Sequence, residues 1–288
     1  MKRTQILIVV VAIVLVGVIF FLPKVVVNDE DKSDLANSEN ATAVPEGHSE
    51  DDGHNHGAES GATADAHMSA TPEQLMELAT ARAKYNKTSD EQARNRVAAE
   101  LAEAYANATK YDSAGYYYEI AAKARGGERS YKKAGDAYYE AFTFAATQER
   151  ASELGAKARG MYEQVLKNNP TDLDAKTNIA MTYIATSNPM QGITLLREVI
   201  ASDPNNQKAL FNLGILSIQS NQYDKAVERF QKLVAVNPDH VEGTFYLAVS
   251  LAETGQKQEA KALFTKVKGM SNDPALASSV DEYLAKLN

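Results

Sequence analysis

Hydrophobic and polar positions divide the chain into three segments. Residues 5–22 carry one polar side chain, Gln5, whereas residues 28–70 are mainly polar and have only two branched aliphatic side chains, Leu35 and Val44. From residue 71 to residue 288, apolar positions recur every three or four residues. That spacing places them on one face of an α-helix, which then packs against a neighbour. The pattern predicts an all-α domain at 71–288, preceded by an apolar segment (1–27) and a polar linker (28–70).

The apolar segment has the length of a membrane span. A helix of 18 residues covers roughly 27 Å, close to the ~30 Å hydrocarbon core of a bilayer. The alternative is a cleaved signal peptide, whose apolar core is usually shorter and is followed closely by a small-x-small site. Here the run is followed by Pro23 and by valines at 25–27, and the Ala-Thr-Ala sequence at 41–43 lies too far on. We therefore expect an uncleaved transmembrane helix, in contact with lipid through residues 5–22.

The charges beside this span predict its orientation. Lys2 and Arg3 precede it, whereas Lys24 and then three acidic residues at 29–31 follow it. Cytoplasmic flanks of membrane helices carry the excess of Lys and Arg. We expect a single-pass protein of the inner (cytoplasmic) membrane, with its N-terminus in the cytoplasm and its C-terminal domain in the periplasm.

The linker at 28–70 holds eleven Asp or Glu and one Lys. Such a segment buries too little apolar area to offset the loss of chain entropy, so we expect a disordered tether. His48, His54 and His56 stand among its carboxylates and are weak candidates for a metal site. With no scaffold to fix their geometry, we interpret them as part of a solvated polar spacer, and we expect no resident metal or cofactor.

Three prolines in the helical domain are evenly spaced. Pro170, Pro204 and Pro238 are each 34 residues apart. Proline fixes φ and lacks an N–H, so it suits the break before a new helix. Tyr111 and Tyr223 each begin a Tyr-Asp-x-Ala sequence in the same register of their repeats. A period of 34 is typical of stacked helix–turn–helix units.

On these residues the chain resembles the tetratricopeptide repeat family over about 95–274. The resemblance implies an α-solenoid of about five helical hairpins, with flanking helices that begin near Thr71 and Pro274 and cover the two ends. One hairpin is irregular, because the step from Tyr138 to Ala158 exceeds the repeat pattern by 11 residues. We expect two lengthened helices there, which meet around 148–152. The matching positions of one repeat are Leu210, Leu213, Gly214, Ala226, Phe230, Leu233 and Pro238.

The resemblance also implies that the first helix of each hairpin lines a groove for a protein segment. Asn178 and Asn212 fall at the same repeat position, where an amide can donate to and accept from a peptide backbone. The apolar positions there have a second interpretation, as packing between repeats or against the final helix. The candidate groove residues are Asn178, Met181, Ile184, Lys208, Phe211, Asn212, Ile215, Phe245, Tyr246 and Val249. Tyr116, Tyr117 and Tyr139 are further candidates for surface contacts.

No catalytic motif occurs, and His240, the only histidine after residue 70, is expected to be a solvated turn residue. Residues 71–288 carry almost no net charge, which argues against a nucleic-acid surface. The sequence predicts a membrane-anchored protein–protein interaction scaffold and not an enzyme. The alternatives are an assembly factor for an envelope complex, such as cytochrome maturation, and a metal-handling protein that acts through the His/Asp-rich linker.

Overall fold

Residues 70–186 and 188–287 are described by a computed structural model, in which every regular element is an α-helix. The twelve helices are α1 (Pro72–Lys87), α2 (Glu91–Asn107), α3 (Tyr111–Arg125), α4 (Glu128–Thr143), α5 (Gln148–Asn168), α6 (Leu173–Ile184), α7 (Pro189–Ser202), α8 (Gln207–Gln219), α9 (Tyr223–Val236), α10 (Val241–Glu253), α11 (Lys257–Met270) and α12 (Pro274–Leu287).

The helices pack in chain order as five antiparallel hairpins. These are α2–α3, α4–α5, α6–α7, α8–α9 and α10–α11, and each packs on the next. Helix α1 packs on α2 at one end, and α12 packs on α11 at the other. The predicted all-α solenoid of five hairpins with two flanking helices is confirmed over the described residues.

The start of α1 follows the signal in its sequence. The Thr71 hydroxyl accepts a hydrogen bond from the Gln74 N–H at 3.3 Å, and the Gln74 side chain accepts one from the Thr71 N–H at 2.7 Å. This reciprocal pair is a capping box, which satisfies two N–H groups that the first turn leaves free.

The three evenly spaced prolines lie in closely similar turns between hairpins. The residue before each proline, Asn169, Asp203 or Asn237, ends a helix. Its side-chain Oδ1 accepts a hydrogen bond from the N–H two residues further on, at 3.3, 3.0 and 3.2 Å respectively. A short polar side chain and a proline therefore set the same turn every 34 residues.

The helix after each of these turns begins at a side-chain cap. Asp172 and Asn206 accept the N–H three residues on, at 2.9 and 3.0 Å. In the third turn the imidazole Nδ1 of His240 takes this role and accepts the Gly243 N–H at 3.1 Å. The ring is half-buried and stacks on Phe211, with ring centroids 5.4 Å apart. The expectation of a solvated histidine is therefore wrong, because His240 is both a helix cap and a packing residue.

The turns inside three hairpins share a left-handed residue. Thr109, Asn221 and Gly255 have φ of 59°, 56° and 84°. The N–H of the residue after each donates to a carbonyl five positions back, at 2.8 to 2.9 Å. Glycine adopts this conformation freely, whereas other L-residues lose roughly 1–2 kcal/mol in it.

Small residues allow the two helices of a hairpin to approach closely. A Cβ at Gly135 would lie 2.9 Å from the ring of Tyr162, and one at Gly214 would lie 2.5 Å from the ring of Phe230. Both rings are fully buried. Gly192 is tighter still, because its Cβ would meet a backbone oxygen of the neighbouring helix at 2.3 Å.

The irregular hairpin is α4–α5. Its helices have 16 and 21 residues, whereas the hairpin that follows has helices of 12 and 14 residues. Both helices are lengthened, as predicted. They meet at 144–147, just before the predicted position, because the Thr147 hydroxyl accepts the Arg150 N–H and starts α5 there.

The final helix covers the end of the array. The Val280 side chain is fully buried in the last core cluster. The Tyr283 ring stacks on Phe264, with centroids 5.0 Å apart, and meets Phe245 edge-on at 5.9 Å.

The predicted anchor and nearly all of the predicted tether lie outside the described residues. Among the helices at 70–186 and 188–287, none has both the length and the apolar character that a membrane crossing requires.

Candidate functional site

A cleft of about 1570 Å³ follows one face of the array. Its wall comes mainly from the first helices of the hairpins, α4, α6, α8 and α10, and from α12 beyond them. Because successive first helices lie side by side, side chains from distant parts of the sequence meet along one continuous surface.

Nine of the ten predicted groove residues line this cleft, and Ile184 does not. Ile184 is the last residue of α6 and packs inside its hairpin, where its Cγ1 lies close to Gly192. The nine residues on the wall are Asn178, Met181, Lys208, Phe211, Asn212, Ile215, Phe245, Tyr246 and Val249.

Some apolar side chains of the wall are buried in the protein, and others are partly open to the cleft. Val249 is only 6% exposed, and the Tyr246 ring stacks on the buried Phe230, with centroids 5.8 Å apart. Met181 and Ile215 are half-buried and keep part of their surface open to the cleft. The two interpretations of the stripe therefore hold for different residues. Val249 is internal packing, whereas Met181, Phe211, Ile215, Phe245 and Tyr246 pack on the core with one side and leave part of their surface open to the cleft.

A chain of hydrogen bonds crosses from α4 to α6. The Lys132 ammonium pairs with the Asp136 carboxylate at 3.1 Å, and the Tyr162 hydroxyl donates to the same carboxylate at 2.9 Å. The Asn178 amide donates to the Tyr162 hydroxyl at 2.8 Å. Asn178 is therefore held by the protein, whereas the Asn212 side chain forms no hydrogen bond within the part of the chain that the structure describes.

The cleft also holds partly desolvated carboxyl groups. Burial raises the pKa of Glu140, and the nearby Asp136 adds to that shift. Burial raises the pKa of Glu253 as well, against the opposing charge of Lys286. Removing a carboxylate from water disfavours its charged form, so both groups favour the approach of a cation.

Several residues of the cleft wall were not predicted from the sequence. Lys132, Asp136 and Glu140 lie on α4, whose register was lost in the irregular hairpin. Leu276 and Tyr283 come from α12, which the sequence identified only as a cover. Their periodicity signals a helix face, but no repeat position relates them to the groove.

Tyr116, Tyr117 and Tyr139, which have no packing role in the repeat pattern, lie in different environments. Tyr139 lines the cleft. The Tyr117 ring stacks on Tyr105, with centroids 5.4 Å apart, and meets Tyr85 edge-on at 5.1 Å. Tyr117 is thus part of the internal packing of α1, α2 and α3. Tyr116 meets Tyr117 edge-on at 5.1 Å.

The metal candidates His48, His54 and His56 lie outside the described residues. Within 70–186 and 188–287, no group of three or more His, Cys, Asp or Glu side chains is arranged to hold a metal ion.

Residues 187–242 and 217–280 match the tetratricopeptide repeat family. A tetratricopeptide repeat protein from Parabacteroides merdae is similar to this chain at 17% identity and a TM-score of 0.55, over 75% of this chain and 79% of that chain. A thermophilic tetratricopeptide repeat protein of Thermus thermophilus aligns at 16% identity over 66% of this chain and 99% of its own, with a TM-score of 0.48. YrrB, described as having an unusual peptide-binding site, aligns at 16% identity over 71% and 97%, with a TM-score of 0.45. No curated protein matches the chain. The hairpins within 187–280 match tetratricopeptide repeats, and the Parabacteroides structure shares the fold over 75% of this chain.

Proposed function

We propose that this protein is a membrane-anchored scaffold that binds segments of partner proteins in the cleft of its repeat array. The observation that supports this proposal most strongly is a single cleft, formed mainly by five helices, that combines half-buried apolar side chains with the unpaired amide of Asn212. Pockets for small molecules enclose about 300–1,000 Å³. A cleft of about 1570 Å³ is better matched to a peptide segment.

Different side chains of the cleft would make different kinds of contact with a bound segment. Met181 and Ile215 offer apolar surface, and burying it against a ligand contributes roughly 25 cal/mol per Å². The free amide of Asn212 can donate to a peptide carbonyl and accept from a peptide N–H. Asn178 stays bonded to Tyr162 and helps to fix the helices that frame the cleft.

The membrane part of the proposal is supported by sequence. A span at 5–22 and a flexible segment at 28–70 would hold the array at a root-mean-square distance of roughly 35–40 Å from the bilayer. Such a tether raises the effective concentration of the cleft near membrane partners. The basic residues before the span support an inner-membrane protein whose array lies in the periplasm.

Photo-crosslinking in cells tests the binding surface. A photoreactive residue is placed singly at Met181, Asn212 or Ile215 of the full-length chain, and at exposed Lys225 and Lys232 on α9 as controls. We expect one partner segment, mapped by mass spectrometry, to be captured from all three cleft positions and from neither control. Capture at the control positions to the same extent would contradict the proposal, as would the absence of cleft adducts in cells where the protein is abundant and folded.

Topology needs a separate test. The full-length protein should remain in the membrane fraction after alkaline extraction, and its array should be digested by protease added to spheroplasts. A variant that lacks residues 1–27 should be released from the membrane. Protection of the array in intact spheroplasts would refute the periplasmic placement and leave the cleft proposal standing.

A further inference from the structure

The cleft is far more acidic than the rest of the array. Residues 71–288 contain 27 Asp or Glu and 26 Lys or Arg, so their charges almost cancel. The cleft wall takes seven of these acids but only two of the basic residues, Lys132 and Lys208. Charge is therefore segregated, with the negative excess in the cleft and a positive excess elsewhere on the array.

Both lysines on the wall are already paired. The Lys132 ammonium lies 3.1 Å from Asp136, and that of Lys208 lies 2.8 Å from Asp174, which is outside the wall. Six wall carboxylates form no ion pair with Lys or Arg among residues 70–186 and 188–287. These are Glu140, Asp239, Glu242, Glu253, Asp273 and Glu282.

Three of the unpaired acids lie toward the ends of the cleft. Glu140 is on α4 beside Asp136. Glu253 and Glu282, near the other end, are close enough to Tyr283 that their charges add to the burial that raises its pKa. Between these ends the wall along α6 and α8 carries no acid, and its apolar side chains, Met181, Phe211, Ile215 and Ile218, lie among uncharged polar ones and the paired Lys208. From α4 to α12, the wall therefore carries acids toward both ends, with a stretch between them that has no acid and offers apolar side chains.

We propose that the segment bound in the cleft is basic and amphipathic, with Lys or Arg residues on both sides of an apolar stretch. This inference rests on the proposed function and names the chemistry of its partner. Cations at the two ends would neutralise carboxylates that form no ion pair with a Lys or Arg of the protein, and the wall aromatics would add to the attraction. The chain's own segment at 28–70 has the wrong charge for this site, with eleven acids and one lysine.

A random peptide library identifies the preference directly. The full-length protein, held in detergent micelles, is used to select 12-residue peptides from phage display, and the Kd of the best synthetic peptides is measured by fluorescence anisotropy. We expect enrichment of Lys and Arg flanking apolar residues. A variant with Glu140, Glu253 and Glu282 all changed to Gln should bind these peptides about tenfold more weakly, at roughly twofold for each exposed pair.

The matched control removes the same charge elsewhere. Glu163, Glu228 and Glu259 are exposed and lie outside the cleft wall. Changing all three to Gln should alter Kd by less than about twofold, since general attraction to an acidic protein falls equally in both variants. The acidic segment at 28–70 is intact in both, so the difference between them reports the cleft alone.

The outcomes separate this inference from the proposed function. Peptides that lose affinity in Met181→Gln and Ile215→Gln variants, both folded by circular dichroism, bind in the cleft. If such peptides show no Lys or Arg enrichment and the Glu→Gln triple variant binds them normally, the charge inference is overturned and the scaffold proposal stands. If no selected peptide responds to the Met181 or Ile215 change, the cleft itself is refuted as the binding surface.

Discussion

Gly192 offers a sharp test of how the array is packed. It lies on α7 at the crossing with α6, and a Cβ added there would lie 2.3 Å from the carbonyl oxygen of Ala180 and 3.1 Å from the backbone N of Ile184. Backbone atoms cannot move away by a change of rotamer, so Gly192→Ala must push the two helices apart. Asn178 and Met181 on α6 would move with them.

The expected cost follows from two opposing terms. Forcing an extra methyl into a packed site costs typically about 1–3 kcal/mol, and here the rigid contact places the cost in the upper part of that range. Alanine regains roughly 1 kcal/mol over glycine through helix propensity. We expect a net loss of about 1–2 kcal/mol in the free energy of unfolding of the α6–α7 region.

Gly160 is the matched control. It lies inside α5, and a Cβ there would have no neighbour within 4 Å. Gly160→Ala should therefore stabilise the protein by about 0.5–1 kcal/mol, since only the propensity term acts.

The assay combines urea denaturation of the full chain, followed by far-UV circular dichroism, with hydrogen exchange of α6 and α7. The local readout is needed because repeat arrays open in parts. Gly192→Ala should lower the midpoint and speed exchange in those two helices. Unchanged exchange there, with Gly160→Ala stabilising as expected, would refute the argument that backbone contact sets this crossing.

Three further predictions follow from the site. Tyr162→Phe removes the hydroxyl that bonds Asp136 and Asn178, and should lower the urea-derived free energy of unfolding by about 1–2 kcal/mol; a neutral result would mean that water replaces the bonds. His240→Ala should cost about 1–2 kcal/mol by loss of the cap and the ring stack, with faster exchange at the start of α10, and His240→Asn should recover the cap part. Equal loss in both variants would contradict the capping role. The pKa values of Glu140 and Glu253 are raised, so these two side chains lose their charge at a higher pH than ordinary carboxylates do. The affinity for a basic peptide should therefore begin to fall at that higher pH. Protonation of the two groups slightly favours the folded state. An affinity that falls with pH in the same way after Glu140 and Glu253 are both changed to Gln would exclude these groups from binding.

The hairpins of the regular half of the array could be predicted from the sequence because their turns repeat. The Asn/Asp-Pro steps before α6, α8 and α10 fix where each hairpin begins, so repeat positions could be assigned residue by residue. That register correctly placed Phe211 and Phe245 along the cleft. It failed for Ile184, because the last residue of a helix lies where the chain turns toward its partner helix.

The irregular hairpin, the role of His240 and the charge of the cleft depend on contacts between residues that no local sequence pattern encodes. Because α4–α5 has eleven additional residues, its residues could not be assigned to repeat positions. The pairing of Asp136 with Tyr162 and the place of Glu140 in the cleft were therefore not predictable. His240 was misjudged because imidazole is a rare helix cap, and its sequence position resembles any exposed turn. The segregation of charge into the cleft appears only when distant helices are brought side by side.

The final helix also determines how the array can be extended. Val280 occupies the place on α11 where another hairpin would dock, while Ser278, Asp281 and Lys286 turn an exposed polar surface outward. A repeat fused after residue 287 would meet that polar surface and find no apolar partner. An engineer who wishes to lengthen the array should therefore insert new hairpins between α11 and α12, and keep α12 as a movable end cap.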